Sequence, residues 1–191
     1  MLKKRIIFTL LFADGYFYLS RNFSLQKVGN YQWLLNNYHF SQVTKFIDEI
    51  RLINLSKSDE QGFLSILEKI SGSILIPIGA GGGIRNLDFA REIIKSGAEK
   101  VNLTSTIFTD LKLIEEICSE FGNQAVVGNF DINSYSKEFI DLRISKNNAS
   151  KIIPRRDFLN ILKHDYFGEI ILNSIPLDGT GLGLEIGRAH V

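Results

Sequence analysis

The chain has 191 residues, enough for one domain with a sizeable core, and 45% of it is apolar. Lys and Arg total 22 against 21 Asp and Glu, so the net charge is +1 and there is no basic field for nucleic acid or an acidic membrane surface. One cysteine, Cys118, excludes an internal disulfide and, without a CxxC pair, a cysteine-rich zinc site.

The chain opens with a basic stretch, residues 1–5, and an apolar run at 6–12 that Asp14 follows. The run is short for a secretory leader and no small-residue cleavage site follows, so it predicts a buried first strand. Residues 15–30 read as a long loop and 31–47 as one amphipathic helix. A second strand is predicted at 50–55, a helix at 63–70, and a third strand at 74–78 that runs into Gly79-Ala80-Gly81-Gly82-Gly83. Leu87, Ala90, Ile93 and Ile94 mark the next helix face, with Asn86 as N-cap. A fourth strand at 101–103 precedes a helix marked by Leu111, Ile114, Ile117 and Cys118, which places the thiol in an apolar stripe. The fifth strand is expected at 125–130. The alternation at 139–144, with turn-like Lys146-Asn147-Asn148 after it, predicts a hairpin inserted above that strand. Pro154 opens another helix, residues 169–172 a sixth strand, and Asp178-Gly179-Thr180-Gly181 a turn.

Strands alternating with helices imply a parallel sheet covered by helices, with right-handed crossovers. On pattern alone, a doubly wound open sheet and a closed barrel both remain possible. No stretch is long enough to span a membrane as a helix, and the lone thiol fits a reducing, cytoplasmic setting. Residues 186–191, Ile-Gly-Arg-Ala-His-Val, fit nothing before them and resemble a translated sequencing-library adapter; the domain is therefore expected over 1–185.

Several motifs occur in a fixed order. Lys4-Arg5-Ile6-Ile7 opens strand one and Asp14-Gly15 follows it. Gly81-Gly82-Gly83-Ile84-Arg85 follows strand three, and Ala98-Glu99-Lys100-Val101 opens strand four. Residues 121–127 open strand five, and residues 168–175 with Asp178-Gly179-Thr180 form strand six and its loop. This ordered set resembles the cyclase subunit of imidazole glycerol phosphate synthase, over nearly all of the chain to Glu185. The resemblance implies an α/β fold, a (β/α)8 TIM barrel truncated after the sixth strand. It also implies a partner glutaminase that supplies ammonia and a small-molecule substrate phosphorylated at both ends. It brings in no cofactor and no metal.

Carried over residue by residue, the resemblance makes Asp131, at the end of strand five, one of two catalytic carboxylates; read alone, an Asp there is more often a turn or cap residue. The other carboxylate position holds Leu11, and the family's loop lysine position holds Leu19. A leucine cannot move a proton, and losing a general base costs on the order of 10²–10⁴ in rate. Gly82, Gly83, Thr104 and Ser105 would form one phosphate cradle, and Asp178, Gly179 and Thr180 the start of a second, weakened by Pro176 where the family carries Asp. A Gly-rich run can also be a mere tight turn. Arg5, Glu49, Lys100 and Glu169 each stand at or just before the start of a strand. Singly they read as solvated charges; together they match the family's ammonia gate. His39 and His164 lack a second ligand at helical spacing.

Intact gate positions beside a lost base favour a paralogue that passes ammonia to an ATP-dependent amidotransferase making surface sugars. The rival readings are a true cyclase, the related sugar-phosphate isomerase, a phosphate-binding barrel and a non-folding fragment.

Overall fold

The computed structural model describes residues 4–56, 58–144 and 150–182, with backbone alone at Phe40 and Ser41. In chain order the elements are β1 (Ile7–Ala13), β2 (Tyr16–Arg21), β3 (Ser24–Gly29), α1 (Tyr31–Tyr38), α2 (Phe40–Val43), β4 (Glu49–Asn54) and α3 (Glu60–Ser71). There follow β5 (Ile78–Gly81), α4 (Leu87–Lys95), β6 (Lys100–Leu103), α5 (Thr106–Thr109), α6 (Leu111–Phe121) and β7 (Val126–Tyr135). The last are β8 (Phe139–Arg143), β9 (Ser150–Pro154), α7 (Arg155–Lys163) and β10 (Glu169–Ser174).

The parallel neighbours run β1-β4-β5-β6-β7-β10, each joined to the next through at least one helix. Alternate residues of these strands face the helices. Ile50, Leu52, Ile78, Ala80, Val101, Leu103, Val126 and Phe130 pack there against Phe63, Leu67 and Ile70 of α3, Phe89 and Ile93 of α4, and Ile114 and Ile117 of α6. Phe130 meets Phe108, Phe158 and Phe167 edge-on, with centroids 5.2–6.2 Å apart. Helix starts follow their caps: Asn86 Oδ1 accepts from the Phe89 N–H at 2.8 Å, as its place before the apolar stripe predicts.

The α/β class holds, but the described residues form ten strands where the pattern gave six and a hairpin. The predicted loop at 15–30 is the antiparallel pair β2–β3. Asp14 and Gly15 have φ of 49° and 82°, so they make a two-residue turn that pairs Ala13 with Tyr16. The helix expected over 31–47 stops at Tyr38, because His39 turns left-handed at φ 44°. The third strand sits later than its apolar run suggests: β5 is Ile-Gly-Ala-Gly itself, and Leu75 is fully exposed. Gly81 needs its missing side chain, since a Cβ would lie 2.2 Å from the Asn102 carbonyl oxygen. The predicted hairpin exists as β8–β9, and β7 runs on to Tyr135 to pair with it. Its expected turn at 146–148 lies outside the described residues, as does the 186–191 tail.

Candidate functional site

A cavity of about 620 Å³ opens at the C-terminal ends of the parallel strands. The structure brings Gly82, Gly83, Thr104, Ser105, Asp131 and Asp178 to this one cavity. Leu11 and Leu19 line it too.

Asp131 stands on β7 in register with Asn173 of β10. Its Oδ1 accepts from Asn173 Nδ2 at 2.7 Å and from Asn129 Nδ2 at 3.1 Å. Burial pushes its carboxyl above the ordinary 3.8; the two amides and the Arg51 and Arg143 guanidiniums pull it back only in part. Such a carboxyl can hold a proton at a higher pH than a surface aspartate, which suits acid–base work.

Asn129 is the hub of a polar network that the sequence alone did not disclose. Its Oδ1 accepts from Arg51 Nη1 at 3.0 Å and from Asn173 at 3.2 Å, and its Nδ2 donates to Thr104 Oγ1 at 3.3 Å. The available signal was a polar residue inside each of four largely apolar strands, alternating with the helix-facing apolar residues: Arg51, Asn102, Asn129 and Asn173. That period of two turns them away from the helices.

The first glycine set is well placed. Gly82 and Gly83 have φ of 103° and 76° and follow β5, beside Thr104 and Ser105 after β6. Positive φ, backbone N–H groups and hydroxyls at adjacent strand ends are chemistry that suits an oxyanion. The second set is different. Asp178 Oδ2 accepts from Ser20 Oγ at 2.5 Å and from the Phe23 N–H at 3.1 Å. Gly179 passes so close to the β2–β3 turn that a Cβ would meet the Ser20 carbonyl oxygen at 2.2 Å. Thr180 Oγ1 donates to the Leu177 carbonyl at 2.9 Å, and neither Gly179 nor Thr180 lines the cavity. Pro176 accepts from Asn22 Nδ2 at 2.7 Å.

At the opposite, N-terminal end of the strands, the four predicted charges form a closed ring. Lys100 Nζ donates to Glu49 Oε2 at 2.7 Å and to Glu169 Oε1 at 2.8 Å. Arg5 Nη2 donates to Glu169 Oε1 at 2.8 Å, and its Nη1 lies 3.7 Å from Glu49 Oε2. Desolvation opposes both charges at the heart of the ring. The hydrogen bonds outweigh it, so Lys100 titrates above and Glu169 below its ordinary value. Elsewhere, His39 ends α1, His164 stacks on Tyr166, and the Cys118 thiol donates to the Tyr166 carbonyl at 3.3 Å. Burial, then Glu115, holds that thiol above its usual range.

The strand topology and the family profile agree. Residues 36–190 match the histidine biosynthesis protein family, and the chain belongs to that family. Among relatives, a provisionally named imidazole glycerol phosphate synthase subunit hisF2 of Parasynechococcus marenigrum is 39% identical over 197 residues, covering 100% of this chain and 71% of its own. The imidazole glycerol phosphate synthase subunit HisF of a Thermotoga species is 33% identical over 97% of this chain and 72% of its own. The HisF of Dictyoglomus turgidum is 31% identical over 69% of this chain and 53% of its own. No helix among the described residues is long and apolar enough to cross a membrane.

Proposed function

We propose that this chain is a HisF-like barrel subunit that takes ammonia from a glutaminase partner through the Arg5–Glu49–Lys100–Glu169 ring and releases it into the cavity at the other end. The six parallel strands are read as six of the eight of a (β/α)8 barrel. The observation that carries the reading is the ring. Four charges at or just before four strand starts pair with one another at the mouth of the strand bundle, where a fold of this kind otherwise needs only stability. With Leu11 where a base would stand, the reading assigns the ammonia to another acceptor than the cyclase substrate. That acceptor would be a surface sugar amidated or amidinated together with an ATP-dependent amidotransferase. Gly82, Gly83, Thr104 and Ser105 would hold a phosphate of whatever enters the cavity.

The test is to express the chain with glutaminases encoded beside it and measure glutamine hydrolysis. Co-purification and stimulated hydrolysis, both lost in Lys100→Met, are expected; a soluble chain that neither binds nor stimulates a glutaminase would sink the proposal. A second reading, a working cyclase, is favoured by the half-buried Asp131 carboxyl, held by Asn173 and Asn129 at the cavity. Ammonia-dependent turnover of the phosphoribulosyl-formimino substrate, abolished by Asp131→Asn, would establish it.

A further inference from the structure

Arg51 is the one charge inside the strand bundle between the ring and the rim among the described residues that line the cavity floor. It lies two residues after Glu49 on β4, in register with Thr9 of β1 and Gly79 of β5. The absence of a side chain at Gly79 leaves room beside it: a Cβ there would meet Asn102 Nδ2 at 3.0 Å and Glu49 Oε1 at 3.2 Å. Arg51 is 9% exposed and Asn102 4% exposed, and both line the cavity.

Both side chains carry a buried donor with no acceptor among the described residues, Arg51 Nε and Asn102 Nδ2. Among the described residues, the guanidinium donates through Nη1, to Asn129. The two carboxylates that act on Arg51 electrostatically do not hydrogen-bond to it. Glu49 is taken by Lys100 and Arg5, and Asp131 by two amides. A buried cation with an unfilled donor edge is costly in an empty fold and makes sense where a ligand fills it.

We propose that Arg51 and Asn102 form an anion subsite at the floor of the cavity that takes a carboxylate group of the small molecule bound there. Both unfilled atoms are donors, so the missing group is an acceptor, and the guanidinium asks for a charged one. A planar monoanion matches the edge of a guanidinium through paired N–H···O bonds. A phosphate dianion would bring a second negative charge to Arg51, which already feels Asp131 and Glu49. Gly82 and Gly83 stand apart from this floor, on the rim, so a carboxylate below and a phosphate above can belong to one ligand. The subsite does not depend on the ring admitting ammonia.

The test uses the full chain labelled with nitrogen-15 arginine, titrated at neutral pH with sodium acetate, sodium D-glucuronate, inorganic phosphate and sodium chloride. A saturable shift of the Arg51 Nε–H resonance with acetate and glucuronate, and none with chloride, is expected. Arg51→Met should weaken the binding of glucuronate, followed by calorimetry, by about tenfold or more, the worth of one charge-assisted hydrogen bond. Asn102→Leu, which keeps the charge, should weaken it less. The wild-type resonance is readable even if a variant fails to fold. No saturable shift with either carboxylate overturns the proposal. So does phosphate binding more tightly than carboxylate at Arg51, or glucuronate binding that survives Arg51→Met.

Discussion

Asp178 receives the Ser20 hydroxyl at 2.5 Å across 158 residues of sequence, and so the loop after β10 holds the turn between β2 and β3. That turn needs holding. Asn22 and Phe23 have φ of 51° and 61°, and a bulky aromatic residue seldom adopts this conformation. Their amides are met by the Asp178 carbonyl at 2.8 Å and its carboxylate at 3.1 Å. Asp178→Ala should therefore cost about 1–3 kcal/mol in urea unfolding, while Asp178→Asn, which keeps an acceptor oxygen, should cost less. Hydrogen exchange at the Phe23 amide should rise in the alanine variant before global stability is lost. Unchanged protection there would show that the carboxylate is not the anchor.

The charged ring makes a different prediction. Glu49 is 3% exposed, and its nearest cation is Lys100 at 2.7 Å. Lys100→Met leaves that carboxylate buried with Arg5, at 3.7 Å, as its remaining ion-pair partner among the described residues, and should destabilise the chain by about 3–5 kcal/mol. The double variant Glu49→Met with Lys100→Met should be less harmful than the single one, because no uncompensated charge remains. Glu169 is held below its ordinary 4.5 by the Lys100 and Arg5 hydrogen bonds, against desolvation. Its contribution is therefore present above that value and is lost as pH falls through the folded pKa. Glu169→Gln should flatten the acid limb of the stability curve.

Much of the fold could be read from the sequence because buried parallel strands and amphipathic helices have different periods. The ring was legible for a related reason: a charge next to an apolar run marks a strand start, and parallel strands put all starts at one end. The antiparallel pairing of β2 with β1 and with β3 was not, although Asp14-Gly15, which joins β1 to β2, is a strong hairpin signal. Tyr16, Leu19 and Leu25 are exposed, so no buried stripe reveals the strands. β5 was misplaced because its glycines read as a loop, yet the strand needs Gly79 and Gly81 where Asn102 approaches. Arg51 was passed over since a lone cation within an apolar run resembles noise until the register places it among Asn129 and Asp131.

The two glycines after β5 should respond unequally to substitution. A Cβ at Gly82 would lie 2.2 Å from the Asn54 carbonyl oxygen, at a φ of 103° that side-chain-bearing residues avoid. At Gly83 φ is 76° but no atom lies within 4 Å. Gly82→Ala should thus cost more than about 3 kcal/mol, backbone strain adding to the clash, and Gly83→Ala about 1–2 kcal/mol. Thermal melts of the two variants decide it; equal losses would mean that the β4–β5 contact yields easily.

Asp131 should titrate late and destabilise when charged. Burial raises its carboxyl above the ordinary 3.8, more than Asn173, Asn129 and the two arginines lower it. The native state then binds more protons than the unfolded chain between the two values, so stability falls as pH rises through that window and is flat above it. Asp131→Asn removes the term. Relative to this variant, the wild type should lose stability from acid pH toward neutrality. Urea titrations of both proteins across that range give the difference, and carboxyl-carbon NMR of Asp131 gives its midpoint directly. A midpoint at or below the ordinary value would mean that Arg51 and Arg143 outweigh desolvation, leaving Asp131 a permanent counter-ion rather than a group able to exchange a proton with a bound ligand.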